Sequence, residues 1–250
     1  MENIITSGIE QFYNAINGFK KGQLIVIGGR PAMGKTRFVL ALMKGFAIDN
    51  DIPIAFFSLE ESSIMIKRKI IEMIETNDMD LKLSDKSQCL DGYPVYVNDN
   101  PRLNIRELKA QIKELKNKFE VKVIMIDYLQ LIDGYLEDSV TTMLELKRIA
   151  VDLEVSIVAT SQISRYPLDD QQTPLNINND NFLWKTNPAA MNYIDICAII
   201  HRSGYYKEQN HSIELYFIKN DNAESLNKIS FKYWDSLIGA NCNKDHRLKD

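Results

Sequence analysis

The sequence contains few cysteines and little excess charge of either sign. Its three cysteines, Cys89, Cys197 and Cys242, are widely spaced and form no C-x-x-C pair, so neither a disulfide framework nor a zinc site is indicated. The formal net charge is −4. This value argues against a protein that coats nucleic acid through its overall charge, but it leaves room for a local basic groove.

Long hydrophobic runs are also absent. Runs such as residues 24–28 and 123–126 are far shorter than the roughly 20 apolar residues that a helix needs to cross a bilayer. The chain begins with Glu2 and Asn3 and not with a basic and then apolar leader, so we expect a cytoplasmic protein with no membrane partner. Hydrophobic residues at 45% and charged residues at 26% are typical of a packed globular protein.

Short apolar runs alternate with stretches of helical periodicity, which is typical of a parallel sheet covered by helices. Because most runs are continuously apolar, we expect strands that are buried on both faces. The predicted strands are residues 24–28, 54–58, 94–98, 122–127, 156–161 and 196–201. Helices are predicted over 34–48, 62–75 and 104–119, the last with Asn104 and Glu107 as a capping box.

The carboxyl-terminal part of the sequence has two further features. Residues 213–219 and 228–234 alternate around the polar turn 220–227, so we predict a terminal β-hairpin of paired antiparallel strands. Residues 164–192 are rich in Asn, Asp, Gln and Pro without a period, and we interpret them as a functional loop or a mobile segment. We expect one domain over residues 1–240 and a frayed polar tail over 241–250.

Residues 29–36 match G-x-x-x-x-G-K-[ST] at every required position, after an apolar strand and before a helical pattern. Gly29 and Gly34 let backbone N–H groups converge on a phosphate, Lys35 would neutralise phosphate oxygens, and the Thr36 hydroxyl would bind Mg²⁺. A chance glycine-rich turn is the alternative, whereas the G-x-G-x-x-G fingerprint of NAD binding is not present here. We therefore predict that the chain binds MgATP. The predicted nucleotide-binding residues are Gly29, Arg30, Pro31, Ala32, Met33, Gly34, Lys35, Thr36 and Arg37.

Polar side chains follow other predicted strands, where the carboxyl ends of a parallel sheet gather ligands. Asp127 ends a buried strand and is predicted to organise Mg²⁺, the alternative being an Asp that caps the next turn. Tyr128 follows it, so a base that activates water must come from elsewhere, and Glu60 is the candidate. Glu60 and Glu61 would equally suit the amino terminus of a helix. Gln162 ends another strand and is a candidate partner of a γ-phosphate.

Together, these segments resemble the ATPase domain of the DnaB-type replicative helicases, hexameric members of the RecA-like group. The resemblance covers nearly the whole chain and is carried by four motifs in order. Residues 29–36 look like the Walker A loop, 58–62 like the S-L-E segment, 127–131 like the Walker B signature and 161–165 like the S-Q-[LI]-S-R element. It implies an α/β, RecA-like P-loop fold in which Glu60 is the catalytic base and Gln162 senses the phosphate.

The same resemblance implies a ring hexamer that hydrolyses ATP with Mg²⁺ between subunits and moves along single-stranded DNA, together with replication partner proteins. Arg165 and Lys185 are the basic residues expected to contact DNA phosphates, with a solvated loop charge as the alternative for each. Lys219 is expected to act in trans on the nucleotide of a neighbouring subunit.

Departures from the family pattern bear on this expectation. Asp221 stands two residues after Lys219, where the family carries an arginine finger, and an acid there could not stabilise transition-state charge. The R-E-S-G segment of the second loop is missing, with residues 184–187 nearby instead, and we expect the amino-terminal domain and linker helix to be absent. The alternatives are an active helicase motor, a weakly hydrolysing regulatory or assembly protein, and a recombination ATPase that forms filaments.

Overall fold

The computed structural model describes residues 9–74, 92–163, 188–203, 212–223 and 228–231. Within these residues, the helices are α1 (Glu10–Ala15), α2 (Lys35–Met43), α3 (Ser63–Ile74), α4 (Ile105–Phe119) and α5 (Ser139–Asp152). The strands are β1 (Leu24–Gly29), β2 (Ile54–Ser58), β3 (Val95–Asn98), β4 (Val123–Asp127), β5 (Ser156–Gln162), β6 (Ile196–Ser203), β7 (Ser212–Asn220) and β8 (Lys228–Phe231). None of the helices in this part of the chain is long and apolar enough to cross a bilayer.

The strands form one sheet in the order β3-β2-β4-β5-β1-β6-β7-β8. Strands β1 to β6 run parallel to one another, whereas β6, β7 and β8 pair in antiparallel fashion. The predicted parallel sheet and the terminal hairpin are therefore confirmed. The antiparallel pairing of β6 with β7 was not predicted, because the apolar part of β6 reads like any strand that is buried on both faces.

The core lies on both faces of this sheet. Successive residues of β1 point to opposite sides, so that Ile25 packs with Phe38 of α2, while Val26 packs in the cluster that contains Leu108 of α4 and Leu146 of α5. All these side chains have no exposed surface. Burial of each contributes about 1.5–3 kcal/mol relative to exposure, which explains why the central strands carry unbroken apolar runs.

The predicted helices form close to their expected bounds. The pattern over residues 34–48 gives α2, which continues as a π-helical turn over Lys44–Ile48. The capping box of α4 is confirmed: the Asn104 side chain accepts from Arg106 N and Glu107 N, and Asn104 N donates to the Glu107 carboxylate. Helices α1 and α5 were not predicted. A 3-10 helix over Pro188–Tyr193 overlaps the end of the predicted loop, the rest of which lies outside the described residues, as does the polar tail.

The last residue of β7 and the turn that follows it are hydrogen-bonded to the carboxyl end of α1. Asn220 Nδ2 donates to Ala15 O at 2.9 Å, and Asn222 Nδ2 donates to Ile16 O at 2.6 Å. Gln23 Nε2 in turn donates to Asn222 Oδ1 at 2.9 Å. Since the last carbonyl groups of a helix have no partner within the helix, these amides satisfy groups that α1 itself leaves open.

Candidate functional site: a phosphate cleft at the sheet edge

Four adjacent strands of the sheet end at one edge, and each delivers a predicted site residue there. Gly29 at the end of β1 is in register with Gln162 at the end of β5. Ser58 at the end of β2, two residues before Glu60, is in register with Asp127 at the end of β4. In open parallel sheets this edge is where ligands bind. Residues that are up to 133 positions apart in the sequence are thus neighbours because of the strand order.

The loop between β1 and α2 has the backbone that a phosphate cradle requires. Gly34, which immediately precedes α2, has φ of 96°, a conformation that favours glycine. At Gly29 an added Cβ would lie 2.7 Å from Ile200 Cγ2 and 3.1 Å from Lys35 Cγ, so the strand leaves no room there for a side chain. Gly34, Lys35 and Thr36 at the start of α2 line the cleft, where a helix amino terminus supplies unpaired N–H groups and favourable partial charge for an anion.

Lys35 lies under this loop. Its side chain is buried, and Nζ donates to Arg30 O at 3.1 Å. Burial lowers the pKa of Lys35, while the nearby carboxylates of Asp127 and Glu60 act in the opposite direction. A cation held between a loop of backbone dipoles and two acids is suited to receive the negative charge of a phosphate chain.

Asp127 is almost completely buried at the end of β4. Its Oδ1 accepts a hydrogen bond from the Thr160 hydroxyl of β5, which has no exposed surface. A buried carboxylate is costly without a partner, and Thr160 supplies one without adding charge. Asp127 lines the cleft from the end of β4, and Thr36 lines the same cleft from the start of α2.

Glu60 is exposed at the mouth of the cleft. Partial burial raises its pKa, the charges of Asp127 and Glu61 raise it further, and Lys35 and Lys69 act in the opposite direction. A carboxyl group whose pKa is moved toward neutrality is a better proton acceptor at physiological pH than an ordinary Glu.

The neighbouring residues hold the Glu60 turn in place. Lys69 Nζ contacts both carboxylate oxygens of Glu61 at 2.5 Å, and Ser58 Oγ donates to Glu61 O at 2.5 Å. At the start of α3, Ser63 N donates to the Asp99 carboxylate at 2.7 Å, and this bond lowers the pKa of Asp99. The alternative role of Glu60 and Glu61 was to place negative charge at the amino terminus of a helix, and Asp99 also provides negative charge at the start of α3.

The cleft has a volume of about 470 Å³ and contains most of the predicted residues. Its lining residues are Pro31, Ala32, Gly34, Lys35, Thr36, Arg37, Leu40, Glu60, Lys69, Glu72, Met73, Asp127, Tyr128 and Gln162. Gly29, Arg30 and Met33 were also predicted to bind nucleotide but are not among them. The Met33 side chain is buried in the core, so that only its backbone is suited to that role.

One wall of the cleft was missed by the sequence analysis. Lys69, Glu72 and Met73 of α3 contribute this wall, and their spacing of three and four residues places them on one helix face. Tyr128 also lines the cleft. Burial raises the pKa of its hydroxyl group, and the negative charges of Glu60 and Asp127 raise it by smaller amounts. The sequence shows that these three residues of α3 share one helix face. It does not show the order of the strands, which places this face opposite the loop between β1 and α2.

Lys219 lies away from this cleft. Nζ donates to Ile194 O at 2.5 Å and to Met191 O at 3.3 Å, and it forms a salt bridge with Asp221 at 3.1 Å. These carbonyl groups precede β6, at the amino-terminal edge of the sheet. Lys219 therefore does not line the cleft of its own chain. The predicted DNA contacts Arg165 and Lys185 lie outside the described residues.

Comparison with known proteins adds a family to this geometry. The model of the DnaB-like helicase C terminal domain matches residues 5–237. The replicative DNA helicase DnaB of Geobacillus stearothermophilus is 28% identical over 240 residues, which cover 87% of this chain and 52% of that protein. The chain spans about half the length of the curated relatives that lead the comparison.

Solved structures show the same fold. One of them, described as an ATPase domain, superposes with a TM-score of 0.76 at 21% identity, covering 93% of this chain and 89% of that one. A DnaB-like replicative helicase, described with its interactions with primase, superposes with a TM-score of 0.72 at 22% identity, covering 92% of this chain and 60% of that one. At such identities the likeness establishes the fold, and it confirms the predicted RecA-like α/β class.

Proposed function

The chain belongs to the family of DnaB-like helicase C-terminal domains, and from this premise we propose that it binds and hydrolyses MgATP in order to move along single-stranded DNA. The observation that carries the proposal is the meeting of a phosphate loop with Glu60, Asp127 and Gln162 at one edge of the sheet. A helicase motor needs each of these groups, because hydrolysis requires a cradle, a metal, a base and a phosphate sensor.

In this proposal the loop 29–37 holds the triphosphate. Backbone N–H groups at the start of α2 bind the β-phosphate, and Lys35 neutralises the β- and γ-phosphate oxygens. Burial supports this role, because the ammonium group of Lys35 is drawn toward a strong anionic partner when it has little water around it.

The donor set of the cleft fits Mg²⁺. Thr36 offers a hydroxyl oxygen and Asp127 a carboxylate oxygen, and both belong to the same cleft. Mg²⁺ takes oxygen ligands, keeps several waters and completes its shell with phosphate oxygens, so two protein groups are enough. When bound, the ion neutralises charge that develops on the phosphates. Asp127 would hold the ion through its carboxylate, while the Thr160 hydroxyl donates to Oδ1 of the same group.

Glu60 is the base of the reaction in this proposal, and Gln162 detects the γ-phosphate. Glu60 has the raised pKa and the exposed position that suit a group which orients and deprotonates water. Gln162 lines the cleft, and its main chain leads directly into residues 164–187. When the γ-phosphate is lost, the resulting change in the position of Gln162 would be transmitted to Arg165 and Lys185, the proposed DNA contacts.

The active assembly in this proposal is a ring hexamer of cytoplasmic subunits, each with one domain over residues 1–240, that works with replication proteins. Lys219 would act on the nucleotide of the neighbouring subunit. Its position outside its own cleft is compatible with such a role, since a residue acting in trans must lie on a face that a neighbour reaches.

A second candidate function is favoured by one contact. Asp221 forms a salt bridge with Lys219, so the hairpin presents a neutralised pair where an arginine finger would supply positive charge. This pair favours a weakly hydrolysing, ATP-binding regulator of a DnaB-like helicase. Family membership favours either of these functions over a recombination ATPase.

The deciding experiment is the rate of ATP hydrolysis with and without single-stranded DNA over a series of protein concentrations. A helicase motor predicts stimulation by DNA that steepens as the protein concentration rises. Lys35→Ala is the negative control, because loss of the ammonium group is expected to abolish nucleotide binding. Slow turnover that DNA and concentration leave unchanged, together with normal ATP binding, would contradict the motor and support the regulator.

A further inference from the structure

The end of β5 is paired differently on its two sides. Toward β1 the pairing continues to the last residue, since Gln162 is in register with Gly29 and Ile163 N donates to Gly29 O at 3.1 Å. Toward β4 the register ends at Ala159, because β4 leaves the sheet after Asp127. The main chain of Gln162 therefore needs another partner on the β4 side.

The side chain of Gln130 supplies this partner. Gln130 Oε1 accepts from Gln162 N at 3.1 Å, and Gln130 Nε2 donates to Gln162 O at 3.0 Å and to Ser161 Oγ at 2.9 Å. Both the N–H and the C=O group of Gln162 are thus held by a single side chain. A primary amide is suited to this task because it is neutral and carries a donor and an acceptor, like the peptide group of a missing strand.

Gln130 also lies close to the metal-binding end of β4. It belongs to the 3-10 turn Leu129–Leu131, which begins two residues after Asp127, and the side chain of Leu129 is fully buried beneath it. A displacement of the turn after Asp127 must therefore move the amide that holds Gln162. The side chain of Gln162 meanwhile lines the phosphate cleft.

We propose that Gln130 is a positioning residue, which holds Gln162 in a fixed place relative to Asp127 so that the phosphate sensor is aligned for hydrolysis. This inference rests on the proposed ATPase function and adds to it a residue outside the cleft lining. Gln130 acts through the backbone of Gln162 and does not contact the nucleotide. Its removal changes the step after binding.

The test is Gln130→Leu, which has similar size but neither donor nor acceptor. We expect kcat to fall about 10- to 100-fold, because a small misplacement of a catalytic group carries a cost of this order. The KM for ATP should stay within about threefold, since the groups that cradle the triphosphate are untouched. Gln111→Leu is the matched control, because Gln111 bonds to Asn98 away from the cleft. It should leave both constants unchanged.

A double-mutant cycle with Gln162→Ala separates positioning from a general loss of structure. If Gln130 acts through Gln162, Gln130→Leu should change kcat less than about twofold in the Gln162→Ala background. Gln130→Glu keeps the acceptor for Gln162 N but sets a carboxylate against Gln162 O, so it should also lower kcat. This second variant decides the matter should the Leu variant fail to fold.

An NMR measurement of amide exchange at Gln162 reads the contact directly and does not depend on turnover. Gln130→Leu should speed this exchange, while Ile163, which is bonded to Gly29, should be less affected. Two results would overturn this inference alone, provided that the wild-type protein hydrolyses ATP. One is that the losses in kcat caused by Gln130→Leu and Gln162→Ala multiply in the double mutant. The other is that amide exchange at Gln162 is unchanged in Gln130→Leu. A wild-type protein that binds ATP without hydrolysing it would overturn the proposed function and this inference together.

Discussion

Replacement of Glu60 by Gln isolates the chemical step from binding and folding. The side chain is exposed and its replacement has the same shape, so the free energy of unfolding should change by less than about 0.5 kcal/mol. For a chain of this size, that corresponds to a change in Tm of less than about 2 °C. Binding of MgATP should be equal or tighter, because a negative charge facing the phosphates is removed.

The loss of the base sets the size of the kinetic effect. A positioned general base contributes about 10²- to 10⁴-fold, which corresponds to about 2.7–5.5 kcal/mol of the activation barrier. We therefore expect the rate constant for hydrolysis of bound ATP, measured in a single-turnover assay, to fall by this factor in Glu60→Gln. Glu114→Gln is the matched control and should retain the wild-type rate, because Glu114 belongs to α4 and does not line the cleft.

The pH dependence gives an independent check. Because the pKa of Glu60 is raised, the base becomes protonated at a pH above the ordinary range of a Glu as the solution is acidified. The wild-type rate should fall as pH decreases through that raised pKa, and Glu60→Gln should lack this decrease. Turnover by Glu60→Gln within about threefold of the wild type would refute the reasoning, because the expected loss is at least about 100-fold.

Further predictions address the surroundings of the site. Thr160→Val removes the donor to the buried Asp127 carboxylate, so we expect a loss of about 1.5–3 kcal/mol and a decrease in Tm of about 3–12 °C without nucleotide; an unchanged Tm would contradict the bond. Asn104→Ala removes the cap of α4 and should cost about 1 kcal/mol in urea unfolding, with unchanged ATP binding. Asp221→Arg removes the acid that neutralises Lys219 and should raise concentration-dependent ATPase activity, whereas no increase would argue against a neighbour's site at this hairpin.

Local patterns in the sequence predicted the parallel strands and the phosphate loop, because both depend on residues that are close together in the chain. The strand predicted over 54–58 has these bounds in the structure, and the capping box at Asn104 needs only four consecutive residues. The roles of Glu60 and Gln162 stay predictions. Their proximity to the loop follows from the observed register, whereas their chemistry needs kinetic measurements.

Features that depend on distant pairing could not be predicted in this way. The bond between Gln130 and Gln162 joins residues 32 positions apart, and it exists only because β5 extends past the end of β4. Asp99 accepts a hydrogen bond from Ser63 N at the start of α3, although the two residues are 36 positions apart in the sequence. The amide of Gln130 meets a backbone group that lacks a partner only after the sheet has assembled, whereas Asp99 meets an N–H group that the start of α3 itself leaves open.

The hydrogen bonds that join α1 to the end of β7 and the turn after it make the stabilities of two remote segments depend on each other. Asn220 and Asn222 satisfy carbonyl groups of Ala15 and Ile16, so a chain shortened before residue 220 would expose the end of α1 to solvent. Such a truncation would loosen α1 and the hairpin as one cooperative unit. Protease cleavage near either segment should therefore make the other segment easier to cleave, although about 205 residues separate them along the backbone.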